Sequence, residues 1–128
     1  MTREPIRLSE AFELFTEQWS PKAIATMNDY LVTLVKVEGV FVWHAHHDTD
    51  ELFLVVEGDL VIDIEGEDAV ELHKGDLFVV PAGVSHRPRA EREARVLLLE
   101  PAGVVNTGDA GPTDLTSAVE WLDRGQGH

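Results

Sequence analysis

The sequence predicts an all-β fold, an antiparallel sandwich or small barrel. Short runs rich in Val, Leu, Ile and Phe follow one another through most of the chain. Each is bounded by turn-forming residues: Glu-Gly, Glu-Gly-Asp, Glu-Gly-Glu-Asp, Lys-Gly-Asp and Pro-Ala-Gly. Strands this short and this regularly spaced argue against the crossover helices of βαβ units.

The elements follow in order. Leu8, Ala11, Phe12, Leu14 and Phe15 recur at helix-like spacing, which predicts a short N-terminal helix over Leu8–Gln18 with Ser9 as its N-cap. Pro21 ends it. Strands are then expected at Tyr30–Val37, Val40–His46, Glu51–Val56, Leu60–Ile64, Ala69–Leu72, Leu77–Val80 and Arg95–Glu100. From Pro101 the chain carries Gly and Pro, and Leu115–Leu122 is expected to form a short C-terminal helix. All 128 residues fit one domain, with a barrel core from about residue 24 to 100.

Composition narrows the chemistry. Hydrophobic residues at 44% are enough to build a packed core and too many for a disordered chain. There is no cysteine, which removes disulfides, thiolate ligands and a cysteine nucleophile together. The net charge of −14 argues against nucleic acid and against anionic membranes as partners. No apolar run approaches the roughly 20 residues of a membrane span. Arg3 and Arg7 are not followed by the apolar stretch of a secretory signal, so a cytoplasmic location is expected.

Two strands are apolar on both faces. In Glu51–Val56, Leu52, Leu54 and Val56 share one side, while Phe53 and Val55 share the other with Glu51. Val96 and Leu98 similarly oppose Leu97 and Leu99. A strand apolar on both faces must be covered on both. The outer cover is the N-terminal segment, a second sheet or a partner subunit, and a homodimer is expected.

Histidines cluster where the strands bend. In Trp43-His44-Ala45-His46-His47, residues two apart on a strand point to one side roughly 7 Å apart, so His44 and His46 can aim at one point. His47 points away and is expected at the surface, and His73 lies near a hairpin end as an ordinary surface residue. Glu51 opens the next strand and is positioned to offer a carboxylate oxygen. Downstream, the Pro81-Ala-Gly83 turn can carry His86 to the same end of a barrel. Phe41 and Trp43 fall on the strand face opposite His44 and are expected to pack between sheets or subunits. Arg87 and Arg89 point away from the side of His86, and the terminal His128 has no role.

These spacings resemble the two motifs of the cupins. The first reads Gly, five residues, His-x-His, three or four residues, Glu, six residues, Gly. Gly39, His44, His46, Glu51 and Gly58 follow it, with four residues instead of five after Gly39. The second reads Gly, five residues, Pro-x-Gly, two residues, His, three residues, Asn. Gly75, Pro81, Gly83 and His86 follow it, with Ala90 in place of the Asn. The Asn106-Thr-Gly-Asp tail resembles that of small stand-alone bacterial cupins. The resemblance implies a double-stranded β-helix, or jelly-roll barrel, and a divalent metal held by His44, His46, Glu51 and His86.

With nitrogen and oxygen donors only, Fe, Mn, Ni, Co and Zn are all acceptable ions. Three neutral imidazoles and one carboxylate leave about two coordination positions open, which suits a small anionic or chelating ligand. The family resemblance then implies a metal-dependent enzyme of dioxygenase or isomerase type acting on a small polar metabolite. A non-catalytic binding or sensory module is the alternative, and no general base is identifiable outside the four ligands.

Overall fold

The structure, a computed structural model, describes residues 3–125; His128 lies outside them. Eight strands form one curled sheet: β1 Lys22–Met27, β2 Tyr30–Val40, β3 Glu51–Glu57, β4 Leu60–Ile64, β5 Val70–Leu72, β6 Leu77–Val80, β7 His86–Pro101 and β8 Glu120–Trp121. The path runs β5-β4-β7-β2-β1-β8, and β3 joins β7 to β6. The long strand β7 organises the molecule. Its first part, His86–Arg89, pairs with β4, and its second, Arg95–Leu99, pairs with both β2 and β3.

The period-two alternation is kept on β3, β4 and β7, where every second residue is buried except Glu57 and Arg92. The inward set includes Val35, Phe53, Val55, Leu60, Ile62, Val96 and Leu98 and fills the barrel. The outward set on β2 and β7 meets a second cluster built on Phe12, Phe15, Ile24, Leu34 and Leu122. The N-terminal segment therefore covers part of the outer sheet face, and truncating the fully buried Phe12 to Ala costs about 3–5 kcal/mol.

Several elements differ from the sequence expectation, and β7 begins at His86, well before the expected Arg95. Helix α1 is only Leu8–Phe12, with Arg7 and not Ser9 at its N-cap. It stops early because β2 captures the following backbone: the buried Lys36 ammonium donates to the Phe15 carbonyl at 2.6 Å, and the Trp19 amide donates to the Lys36 carbonyl at 2.8 Å. The expected break at Glu38-Gly39 is a bulge inside β2, with Gly39 at φ +88°. Beyond Val40 the chain leaves the ladder and keeps only an isolated antiparallel bridge between His44 and His86, so Val40–His46 is not a regular strand. Leu115–Leu122 forms no helix: its end is the two-residue strand β8, parallel to β1, and the tail's helical piece is a 3-10 turn at Gly108–Ala110.

Strand β1 has no counterpart in the expected pattern, because Lys22-Ala-Ile-Ala carries small residues in place of the usual branched ones. Gly58, between β3 and β4, sits at φ +87°, and a Cβ there would lie 3.1 Å from the Ala94 Cα. Any side chain would push β7 away from that turn.

Candidate metal centre

Three imidazoles and a carboxylate meet inside one end of the barrel. His44 and His86 are held face to face by a pair of backbone bonds, His44 N–H to His86 C=O at 3.0 Å and the reverse at 2.9 Å. Each ring is oriented by its own backbone: Nδ1 donates to the carbonyl two residues earlier, Val42 for His44 and Val84 for His86, both at 2.9 Å. That fixes the proton on Nδ1 and leaves the Nε2 lone pair free. The loop to Glu51 is pinned to the second turn, where Asp50 accepts from the Ala82 amide at 2.8 Å and the Gly83 amide donates to the His46 carbonyl at 2.9 Å.

Glu51 lies between the rings, one oxygen 3.4 Å from His86 Nε2 and the other 3.5 Å from His46 Nε2. Ligand atoms of His44, Glu51 and His86 lie within 4.8 Å of one another. His46 belongs to an overlapping group with Glu51 and Glu100, also within 4.8 Å. The four residues of the sequence expectation are thus brought to one place, with His46 on the Glu100 side of the cluster.

The electrostatics favour a cation here. Burial, with the neighbouring His86, pushes His44 and His46 down to about 4, and burial lowers His86 as well. All three rings are neutral at pH 7 and offer lone pairs. His46 Nε2, His86 Nε2 and Glu100 Oε2 are buried without a hydrogen-bond partner among the described residues. Orphaned buried polar atoms are costly, and a shared metal ion would satisfy all of them at once. The residues present therefore fit a divalent ion.

Glu100 was not anticipated as part of this site. It is 2% exposed, on the inward face of β7 beyond Val96 and Leu98, one step past the Leu52–Leu99 pair and hence opposite Glu51. A glutamate in phase with buried Val and Leu was the signal available in the sequence. Burial pushes Glu100 up to about 9 and Glu51 up to about 7, and the neighbouring Glu51 carboxyl adds to the rise at Glu100.

Phe41 also differs from expectation. Because the chain is irregular after Val40, strand parity fails there: Phe41 turns inward, stacks on Trp19 at 4.6 Å and sets its ring edge-on to His44 at 5.3 Å. Trp43 stays outside, 42% exposed beneath Arg87. Arg87 and Arg89 face outward and share Asp63. His47 and His73 are exposed, paired with Asp109 and Asp59.

Beside the imidazoles is an apolar cavity of about 40 Å³, bordered by Trp19, Phe41, His44, Glu51, Glu100 and Asn106. The C-terminal segment closes over it. Asp109 accepts from the Ala45 amide at 2.7 Å and donates its own amide to the Ala45 carbonyl at 3.0 Å. Asn106 binds the Trp19 and Leu115 carbonyls at 3.0 and 2.9 Å.

Comparison with known proteins agrees with this geometry. The model of the Cupin domain family matches residues 30–100. The cupin-2 domain containing protein of Shewanella frigidimarina NCIMB 400 superposes with a TM-score of 0.73 at 48% identity, over 75% of this chain and 93% of that one. The YdbB protein of Bacillus subtilis (strain 168) is 40% identical over 68 residues, 53% of this chain and 60% of its own length. The 3-hydroxyanthranilate 3,4-dioxygenase of Brucella anthropi is 29% identical over 84 residues, 59% of this chain and 42% of its own. The matched part spans 60% or less of these curated relatives. Among the described residues, no helix is long and apolar enough to cross a membrane. The barrel, its buried His/Glu cluster and these matches lead to one conclusion: the chain belongs to the cupin family.

Proposed function

We propose that this cupin binds one divalent ion through His44, His46, Glu51 and His86 and acts as a metal-dependent enzyme on a small polar metabolite, by dioxygenation or isomerisation. The observation that carries the reading is the convergence of three buried, neutral imidazoles, of which His46 and His86 have Nε2 atoms without a hydrogen-bond partner among the described residues. Similarity to the Brucella anthropi dioxygenase supports the oxygenase branch.

A bound ion supplies Lewis-acid polarisation of an oxygen ligand and, if it is redox-active, access to dioxygen. The chain's own residues do the rest. The Val42 and Val84 carbonyls hold the His44 and His86 rings in the tautomer that presents Nε2. Phe41, Phe53 and Leu98 wall the cavity with apolar surface, which lowers the local dielectric and strengthens charge interactions inside. Glu100 borders the same cavity, and in the metal-free protein burial favours the protonated form of its carboxyl.

The size of the cavity favours a second reading, a non-catalytic module that captures a small ligand. At about 40 Å³ it has room for two or three waters and not for an aromatic ring unless the C-terminal segment moves. In both readings the ligand is small, chelating and anionic. It should bind more weakly at low salt than at moderate salt, because the −14 charge repels anions until ions screen it over about 8–10 Å.

Metal analysis of protein purified without a histidine tag, followed by substrate screening with the ion found, tests the proposal. Turnover supports the enzyme. Oxalate binding without turnover of any substrate supports the capture module. Equal oxalate binding by wild type and a His44→Ala, His46→Ala double variant sinks both.

A further inference from the structure

Glu51 has a second carboxylate directly across the barrel wall. Like charges placed opposite each other on neighbouring strands repel, and burial makes the repulsion stronger. Among the described residues no lysine or arginine pairs with either carboxyl: Arg95 on the outer face of β7 pairs with Glu13, and Arg87 and Arg89 with Asp63, while the imidazoles beside Glu51 are held neutral by burial. A buried carboxylate pair without a charged partner needs a proton or a metal ion between its oxygens.

Two further observations point to the ion. Glu100 borders the cavity and is almost fully buried, yet its Oε2 has no hydrogen-bond partner among the described residues. One ligand atom each from His46, Glu51 and Glu100 falls within 4.8 Å of the others, as compact as the group of His44, Glu51 and His86. The two groups share Glu51, so a cation held by one is beside the donors of the other.

We propose that Glu100 is an additional metal ligand, making the centre three histidines and two carboxylates. This rests on the metal-binding reading above and extends it. Two carboxylates cancel the charge of a divalent ion, and five protein donors leave one position of six open. A chelating ligand, which needs two positions, must then displace Glu100. The residue therefore sets selectivity, admitting a single oxygen donor readily and a chelate only at the cost of one protein bond.

The test uses cobalt(II) and the whole chain. Cobalt affinity is measured by chelator competition, and the visible d–d spectrum of the loaded protein reports coordination directly. Glu100→Gln should weaken cobalt binding at least tenfold, alter the spectrum and increase oxalate affinity of the loaded protein. Glu100→Asp, which keeps the charge and draws it back, should also alter the spectrum. Circular dichroism checks that both variants fold, and if Glu100→Gln does not, Glu100→Asp alone decides by the same readouts. Unchanged affinity and spectrum overturn Glu100 as a ligand while leaving the four-ligand reading intact. Weaker binding with an unchanged spectrum also overturns it, since the carboxylate then acts from outside the coordination sphere. Wild-type protein that binds no cobalt overturns both readings together.

Discussion

Glu51 on β3 and Glu100 on β7 are opposite neighbours on the inner wall of the barrel, 4% and 2% exposed. Their contact joins two halves of the chain that sequence spacing treats separately, the first histidine cluster and the last long strand. It also sets how the protein responds to pH.

Metal-free protein should be most stable in mildly acidic solution. His44 and His46 are depressed to about 4 from 6.5, so folding favours their neutral forms, and stability is lost as pH falls through that interval. Glu51 and Glu100 are raised to about 7 and about 9 from 4.5. Their contribution is complete below 4.5 and is lost as pH rises through 7 and 9. Denaturant unfolding in EDTA should therefore give a maximum near pH 5–6, roughly where the two effects cross. Adding metal should raise the alkaline limb, because ligands bind an ion only when deprotonated. Stability that climbs steadily from pH 6 to 9 without metal contradicts the raised carboxyls.

The C-terminal segment is pinned by a position that only glycine can fill. Gly108 has φ +50°, and a Cβ there would stand 2.5 Å from the Ala45 carbonyl oxygen. Gly108→Val should therefore lift the segment from Ala45, cost about 1–3 kcal/mol and accelerate hydrogen exchange at the Ala45 amide. Gly111→Ala is the control, since its Cβ meets nothing within 4 Å and pays only for φ +74°. Equal effects from the two substitutions would show that the close approach to Ala45 contributes nothing.

The outer face of β3 and β6 remains apolar after the N-terminal segment has docked. Leu77 and Val79 on the edge strand β6 are 55% and 40% exposed and pair in register with Leu54 and Leu52. An open apolar sheet edge of this kind calls for a partner, and a second copy of the chain is the one expected. Light scattering at micromolar concentration should give the dimer mass, and Leu77→Lys with Val79→Lys should give the monomer. A wild-type monomer rules the dimer out.

The sequence by itself determined the strand alternation and the turns, because these depend on local rules: period two along a strand, and glycine and proline at bends. Motif spacing pointed to His44, His46, Glu51 and His86 as neighbours, but His44 and His46 reach the site from an irregular segment and not by strand parity. Parity also placed Arg87 and Arg89 outside on β7, whereas His47 is exposed because it sits in a turn. Where the local rule lapses, so does the reading. Phe41 turns inward because its backbone leaves the ladder, and α1 stops because Lys36, more than twenty positions away, takes the Phe15 carbonyl. Leu115–Leu122 forgoes a helix because the Leu122 amide donates to the Ala23 carbonyl at 3.0 Å. Only the tertiary structure decided that Glu100 joins Glu51. That meeting depends on the register between β3 and β7, which is set by packing between residues far apart in the chain and leaves no mark in the spacing of either strand.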